Sequence, residues 1–121
     1  MIAGRVENLQ AFLPVTLRLH GKGDLTIECV LDTGFVGFLS LPAEAVSVLG
    51  LPFLYDTAAN LADDSTIRLP VHEGIAVWNG QERPIRVVAT GKRPLIGMSL
   101  LLDSELVVQC VEGGLVTLDT I

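Results

Sequence analysis

Cysteine, aromatic residues and basic residues are all scarce in this chain of 121 residues. It has two cysteines, eight Lys and Arg residues, and only 5% aromatic residues. Cys29 and Cys110 lie in strand-like runs without clustered histidines, so a zinc site is excluded and buried free thiols are expected. The net charge is −6 and the basic residues are scattered. Electrostatics therefore disfavour a nucleic-acid partner.

Long hydrophobic runs are also missing, although half of the residues are hydrophobic. No uncharged apolar run reaches the ~18 residues that a membrane span needs. The opening segment Met1–Glu7 lacks the apolar core that follows a basic start in secretory signals. We therefore expect a cytoplasmic protein without a membrane partner. The length suits one domain over residues 1–121 with a modest core.

Strand signals dominate the chain. Apolar and polar residues alternate with a period of two in Val15–Leu19 and again in Leu25–Cys29, which predicts a hairpin. Asn79-Gly80 lies between two further apolar segments and is the strongest short hairpin signal in the chain. A last hairpin is predicted between residues 106 and 118. The pattern is typical of an all-β protein.

Two short helices and one projecting hairpin complete this prediction. Pro42 suits the first position of a helix that Gly50 ends. Met98–Asp103 predicts one or two further helical turns. Asn60–Thr66 is polar and precedes the strand-like segment Ile67–Val71, which predicts the tip of a hairpin.

The triplet Asp32-Thr33-Gly34 follows the strand-like run Leu25–Leu31. A carboxylate in so apolar a setting is costly unless it has a partner. A turn in which Asp32 caps backbone amides is the simplest structural reading. A second apolar strand end, Leu95-Ile96-Gly97, repeats the pattern later in the chain, and a short helical segment again follows it.

Taken together, these segments resemble the retropepsin-like (clan AA) aspartic proteases, and most closely their small bacterial single-domain members. The resemblance covers roughly residues 10 to 120. It is carried by Val30–Phe35, Leu61–Ser65, Pro94–Met98 and Leu100-Leu101. It implies a single-domain acid protease barrel with short helices, a psi-loop and a flap hairpin.

The resemblance also implies roles for individual residues. Asp32 would be the catalytic carboxylate, Thr33 would hydrogen-bond across a dimer axis, and Gly34 would allow close backbone approach. Ile96 and Gly97 would support this loop from behind. The catalytic set is thus Asp32, Thr33 and Gly34, and the substrate-binding set is Phe35, Ala62, Asp63, Asp64, Ser65, Ile96 and Gly97.

The implied activity is that of an aspartic-type endopeptidase, a hydrolase that needs no metal or other cofactor. Because each chain supplies one such Asp, the enzyme would be a homodimer acting on a peptide or protein substrate. The amino-terminal segment and Val116–Ile121 would contribute to the dimer sheet. Two positions depart from the family, since Asp63-Asp64 replaces a glycine-containing flap turn and Ser99 replaces an Asp or Asn.

Two other functions fit the same residues. One is a catalytically weak or inactive peptide-binding or dimerisation module on the same fold. The other is a structural component that assembles with a partner protein. Asp63, Asp64, His72 and Glu73 have no spacing typical of metal ligands and are read as a solvated hairpin.

Overall fold

The computed structural model describes all residues from Met1 to Ile121, and it is mostly β. The all-β class predicted from the sequence is therefore confirmed. The longer of the two helices has seven residues, and neither could span a bilayer. The elements are β1 (Ile2–Glu7), β2 (Gln10–Leu19), β3 (Gly23–Leu31), β4 (Leu39–Leu41), α1 (Ala43–Leu49), β5 (Phe53–Asn60), β6 (Thr66–Trp78), β7 (Gln81–Ala89), β8 (Leu95–Ile96), α2 (Met98–Leu101), β9 (Ser104–Val108) and β10 (Leu115–Thr120).

All ten strands belong to one sheet in the order β5-β6-β7-β4-β8-β3-β2-β1-β10-β9. An additional pairing joins β6 to β2, so six strands form a closed circuit of hydrogen-bonded neighbours. Inside this circuit β8 lies between β3, to which it is parallel, and β4, to which it is antiparallel. The chain therefore leaves β3, turns and returns as β4, and a much later segment occupies the gap between them.

The hairpins predicted from period-two alternation are confirmed. Strands β2 and β3 pair from Phe12 with Val30 to Leu19 with Gly23. The inward positions Leu13, Val15 and Leu17 are fully buried. At the β6–β7 turn, Asn79 and Gly80 have φ of 53° and 76°, as a tight hairpin turn of this type requires.

Strand β6 corrects the sequence-based boundaries. Two separate strand-like segments were expected here, Ile67–Val71 and Ile75–Trp78, whereas the structure has one strand of 13 residues. Pro70 lies opposite Asp56 within the β5–β6 ladder, and Gly74 leaves room for Val87 of β7, because a Cβ there would be 3.0 Å from its side chain. Gly74 lies in the gap between the two expected segments, and β7 pairs with the chain across that gap.

The two ends of the chain pair with each other. Strand β1 lies between β2 and β10, and β10 lies between β1 and β9. Strand β10 is thus paired on both edges within one chain, and the free edge at this end of the sheet belongs to β9. That these segments contribute to a dimer sheet stays a prediction.

Helix α1 agrees with its predicted stop signal. Gly50 adopts φ of 67° and its amide donates to the carbonyl of Ser47. Pro42 lies one position earlier than expected, at the N-cap. The helix buries Val46 in the core.

The two cysteines differ in burial. Cys29 is buried in the core, but Cys110 is exposed beyond the end of β9. Burial of both thiols was therefore a wrong prediction for Cys110.

Candidate functional site

Asp32 continues the ladder between β3 and β8 by one residue. Its backbone amide donates to the carbonyl of Ile96 at 2.9 Å, after Leu31 has paired with Ile96 in the parallel register. Its own carbonyl accepts the amide of Phe35 at 3.1 Å. The backbone at Asp32 is thus held on both sides, and the chain turns immediately after it.

The Asp32 carboxylate is only partly engaged. Oδ1 accepts the backbone amide of Gly34 at 3.0 Å, which is the capping contact expected from an Asp in a turn. The residue is half-buried, whereas Thr33 and Gly34 are exposed. No other group of the chain hydrogen-bonds to this carboxylate or to the Thr33 hydroxyl. One carboxylate oxygen and the neighbouring hydroxyl therefore have hydrogen-bonding capacity to spare.

The segment after Asp32 is braced by the start of α2. The amide of Gly97 donates to Phe38 at 3.0 Å, that of Met98 to Phe35 at 2.8 Å, and that of Ser99 to Gly37 at 3.2 Å. Three consecutive amides thus hold three carbonyls of the loop. This places the later apolar-apolar-Gly segment directly behind the Asp32 loop, as expected from the sequence.

Gly97 is required at this contact for steric reasons. A Cβ at this position would lie 2.1 Å from the Gly37 carbonyl oxygen and 2.7 Å from that of Phe35. The Phe35 ring also packs here, within 2.6 Å of the positions where a Cβ would project from Gly97 and from Gly37. Phe35, which was expected to bind substrate, is therefore half-buried, with its ring packed against Gly37 and Gly97.

Ile96 is part of the hydrophobic core and has no exposed surface. Its assignment to the substrate-binding set is therefore corrected: the side chain cannot touch a peptide, and it acts from behind the loop. The backbone of Ile96 still contributes, because its carbonyl receives the Asp32 amide.

Two side chains that brace this region were not recognised in the sequence. The Ser99 hydroxyl donates to the carbonyl of Val36 in the loop. Arg83 of β7 donates to the carbonyls of Leu100 at 3.2 Å and Ser99 at 3.0 Å, and its guanidinium lies 5.4 Å from the centre of the Phe38 ring. Nothing near position 83 in the sequence indicates this role, because its partners are distant backbone atoms.

The predicted flap tip forms the turn between β5 and β6. Ala62, Asp63, Asp64 and Ser65 are all exposed there. Asp64 adopts a left-handed conformation, with φ of 66°, which glycine adopts most easily. Asp63 Oδ1 accepts the Ser65 hydroxyl at 2.5 Å and the Ser65 amide at 3.0 Å, and these bonds hold the pKa of Asp63 below its ordinary value. No hydrogen bond joins this tip to the Asp32 loop.

Three clefts of about 430, 660 and 250 Å³ are lined by segments other than the Asp32 loop. No group of three His, Cys, Asp or Glu side chains converges as metal ligands. The chemistry that this loop offers is therefore that of a carboxylate on a braced turn, flanked by a hydroxyl and open to a partner.

Comparison of the chain with models of protein families, with curated proteins and with solved structures finds no match.

Proposed function

We propose that this protein is an aspartic endopeptidase of the retropepsin-like type, in which two copies of the chain join their Asp32 loops. The observation that carries the proposal is the half-buried Asp32 carboxylate, whose one hydrogen bond is to the Gly34 amide. The loop around it is fixed by the three consecutive amides of residues 97–99. A solvated surface acid needs no such support. The closed strand circuit around β8 agrees with the acid protease barrel and psi-loop that the sequence resemblance implies.

The proposed chemistry follows from bringing two carboxylates together. Two neighbouring carboxylates cannot both ionise easily, so the pair shares one proton. The ionised member removes a proton from a water molecule, which attacks the peptide carbonyl, while the protonated member polarises that carbonyl. The tetrahedral intermediate then collapses as a proton passes to the leaving nitrogen. Thr33, whose hydroxyl has no partner in the chain, would hold the two loops together across the axis.

The β5–β6 hairpin would cover the bound peptide. Its tip is fully exposed, and β5 is the outermost strand of the sheet. An extended peptide can add main-chain hydrogen bonds to such elements as an extra strand. Apolar side chains on the hairpin, including Leu61 at 44% exposure and Ile67 at 37%, would favour apolar residues near the cleaved bond.

Replacement of Asp32 by asparagine tests the catalytic assignment. Asp32→Asn preserves size and the capping contact to Gly34 but removes the charge. Cleavage of an apolar-rich peptide mixture, followed by mass spectrometry, is expected to fall to background, with circular dichroism and sedimentation unchanged. Cleavage by this variant at the wild-type rate would exclude Asp32 as the catalytic acid.

Dilution tests the dimer independently of the mutation. Each chain supplies one Asp32, so activity per chain should fall with the dimer population as the protein is diluted. Sedimentation velocity over the same concentration series gives the dimer fraction. Constant activity per chain in a sample shown to be monomeric would refute the two-chain site.

A peptide-binding module without turnover is the second candidate. The specific observation in its favour is the contact of Asp32 with Gly34, which an ordinary capping Asp also makes. This candidate predicts that wild type and Asp32→Asn bind peptides alike and that neither cleaves them. Equilibrium binding measured alongside cleavage therefore separates the two functions.

A further inference from the structure

The exposed face of β2 and β3 leads directly to Asp32. The β2–β3 ladder ends at the pair Phe12 and Val30. Continued by two residues on each strand, this register puts Gln10 and Asp32 on the same face of the sheet. The opposite face carries Leu13 and Cys29, which are fully buried in the core. The Asp32 face is therefore the outer one.

Arg93 reaches this face from the other side of β3. It lies just before β8, and the sheet order there is β8-β3-β2. Its Nη1 nevertheless donates to Oε1 of Gln10 in β2 at 2.6 Å. To do so the side chain must cross over the end of β3, where the amide of Val30 bonds to the carbonyl of Pro94. The guanidinium is thus held at Gln10, on the face to which the strand register assigns Asp32.

The charge of Arg93 is not neutralised. On the same face Arg5 has two carboxylate partners, Glu7 at 2.9 Å and Glu28 at 3.3 Å. No carboxylate lies within ion-pair distance of Arg93, although the chain has 14 acidic residues and a net charge of −6. Its one side-chain hydrogen bond is to a neutral amide, which leaves most of its five donors free.

We propose that Arg93 selects peptide substrates that carry a single carboxylate side chain close to the cleaved bond. This inference rests on the proposed protease function and names its substrate class. A guanidinium binds a carboxylate through two parallel hydrogen bonds, and Gln10 holds the side chain in place for that contact. An extended peptide advances ~3.3 Å per residue, so moving the acidic residue one position at a time maps its distance from the cut.

Two features narrow the preference further. In a symmetric dimer one Arg93 lies on each side of the axis, so an acid is accepted on either side of the cleaved bond. The exposed Asp63 and Asp64 at the hairpin tip repel a run of acids. The favoured peptide therefore has one acidic residue in an apolar setting.

Matched peptides that differ only by Glu or Gln at one position near a mapped cleavage site test this proposal. Wild type is expected to favour the Glu peptide by about tenfold in kcat/KM, as a charge-assisted paired hydrogen bond predicts. Arg93→Gln should remove the preference, and Arg93→Glu should reverse it toward a Lys peptide. Arg86→Gln, at an exposed cation of β7 without an ion pair, is the control and should keep the wild-type preference.

The outcomes separate this inference from the proposed function. Equal cleavage of the Glu and Gln peptides by wild type overturns the role of Arg93 and leaves the protease assignment intact. If wild type cleaves nothing, the protease assignment fails, and fluorescence anisotropy of the same labelled peptides decides about Arg93. If wild type binds the Glu peptide more tightly than the Gln peptide, and Arg93→Glu reverses this order, the selection of an acidic residue by Arg93 is supported. Equal binding of the two peptides, or no binding, overturns it.

Discussion

Replacement of Gly97 by alanine adds one methyl group at the contact that braces the Asp32 loop. Gly97 has φ of −101° and ψ of 174°, an extended conformation that any residue adopts, so alanine brings no backbone strain. The new Cβ would lie 2.1 Å from the Gly37 oxygen and 2.7 Å from the Phe35 oxygen. Both obstacles are backbone atoms, which cannot rotate away as a side chain does.

The expected cost has two parts. Forcing an extra methyl group into a packed region typically costs about 1–3 kcal/mol. The two obstructing carbonyls also accept the amides of Ser99 and Met98, and each such hydrogen bond contributes about 0.5–1.5 kcal/mol. We therefore expect Gly97→Ala to lower the free energy of unfolding by about 3–5 kcal/mol, a large part of the ~5–15 kcal/mol typical of a domain.

Urea unfolding followed by tryptophan fluorescence measures this change. Trp78 is the single tryptophan and is 6% exposed, so its emission reports loss of the core. Gly21→Ala is the matched control, because a Cβ added at Gly21 would meet nothing within 4 Å. Since φ of Gly21 is 72°, alanine there costs only backbone strain, of about 1 kcal/mol. A smaller loss of stability in Gly97→Ala than in Gly21→Ala would refute the steric argument.

Three further predictions concern groups outside this contact. Burial raises the pKa of the Cys29 thiol to about 12, so iodoacetamide should modify only the exposed Cys110 in the native protein. Mass spectrometry that shows Cys29 alkylated as fast as Cys110 in the native protein would contradict this. The pKa of Asp63 is lower in the folded protein than in the unfolded chain, where it is about 4. The ionised carboxylate therefore stabilises the fold above about pH 4, and this contribution is lost as the pH falls through the folded pKa. Ser65→Ala should raise that pKa in an NMR titration, and an unchanged value would rule out the Ser65 contact as its cause. Arg83→Met keeps the aliphatic stem but removes two donors to α2 carbonyls, so urea unfolding should show a loss of about 1–3 kcal/mol, and no loss would refute the bracing role.

Local patterns were sufficient to predict the class and most of the hairpins. Alternation in β2 and β3 follows from a sheet with one buried face, and Asn79-Gly80 follows from the positive φ that both turn positions need. Gly50 likewise ended α1 as predicted. Each of these features depends on residues within a few positions of one another, which is why one sequence contains enough information.

The same local rules failed where distant strands decide the outcome. The gap between the expected segments Ile67–Val71 and Ile75–Trp78 was read as an interruption, yet β7 pairs with β6 continuously from Val71 to Trp78. Cys110 was expected to be buried from its apolar neighbours, but it lies beyond the last ladder pair of β9 and is exposed. The occupied edges of β1 and β10 were not visible in the sequence either, because strand order depends on pairing across the whole chain.

The sequence by itself determined the candidate acid, Asp32, and the segment Leu95-Ile96-Gly97 that supports it. Only the tertiary structure decided how they act together: β8 inserts between β3 and β4, and three amides after it hold the Asp32 loop. Arg83 and Arg93 acquired their roles in the same way, through partners at least ten residues away in sequence. Side-chain chemistry is local, but the position of a charge relative to a loop is set by packing between segments that are distant in the chain.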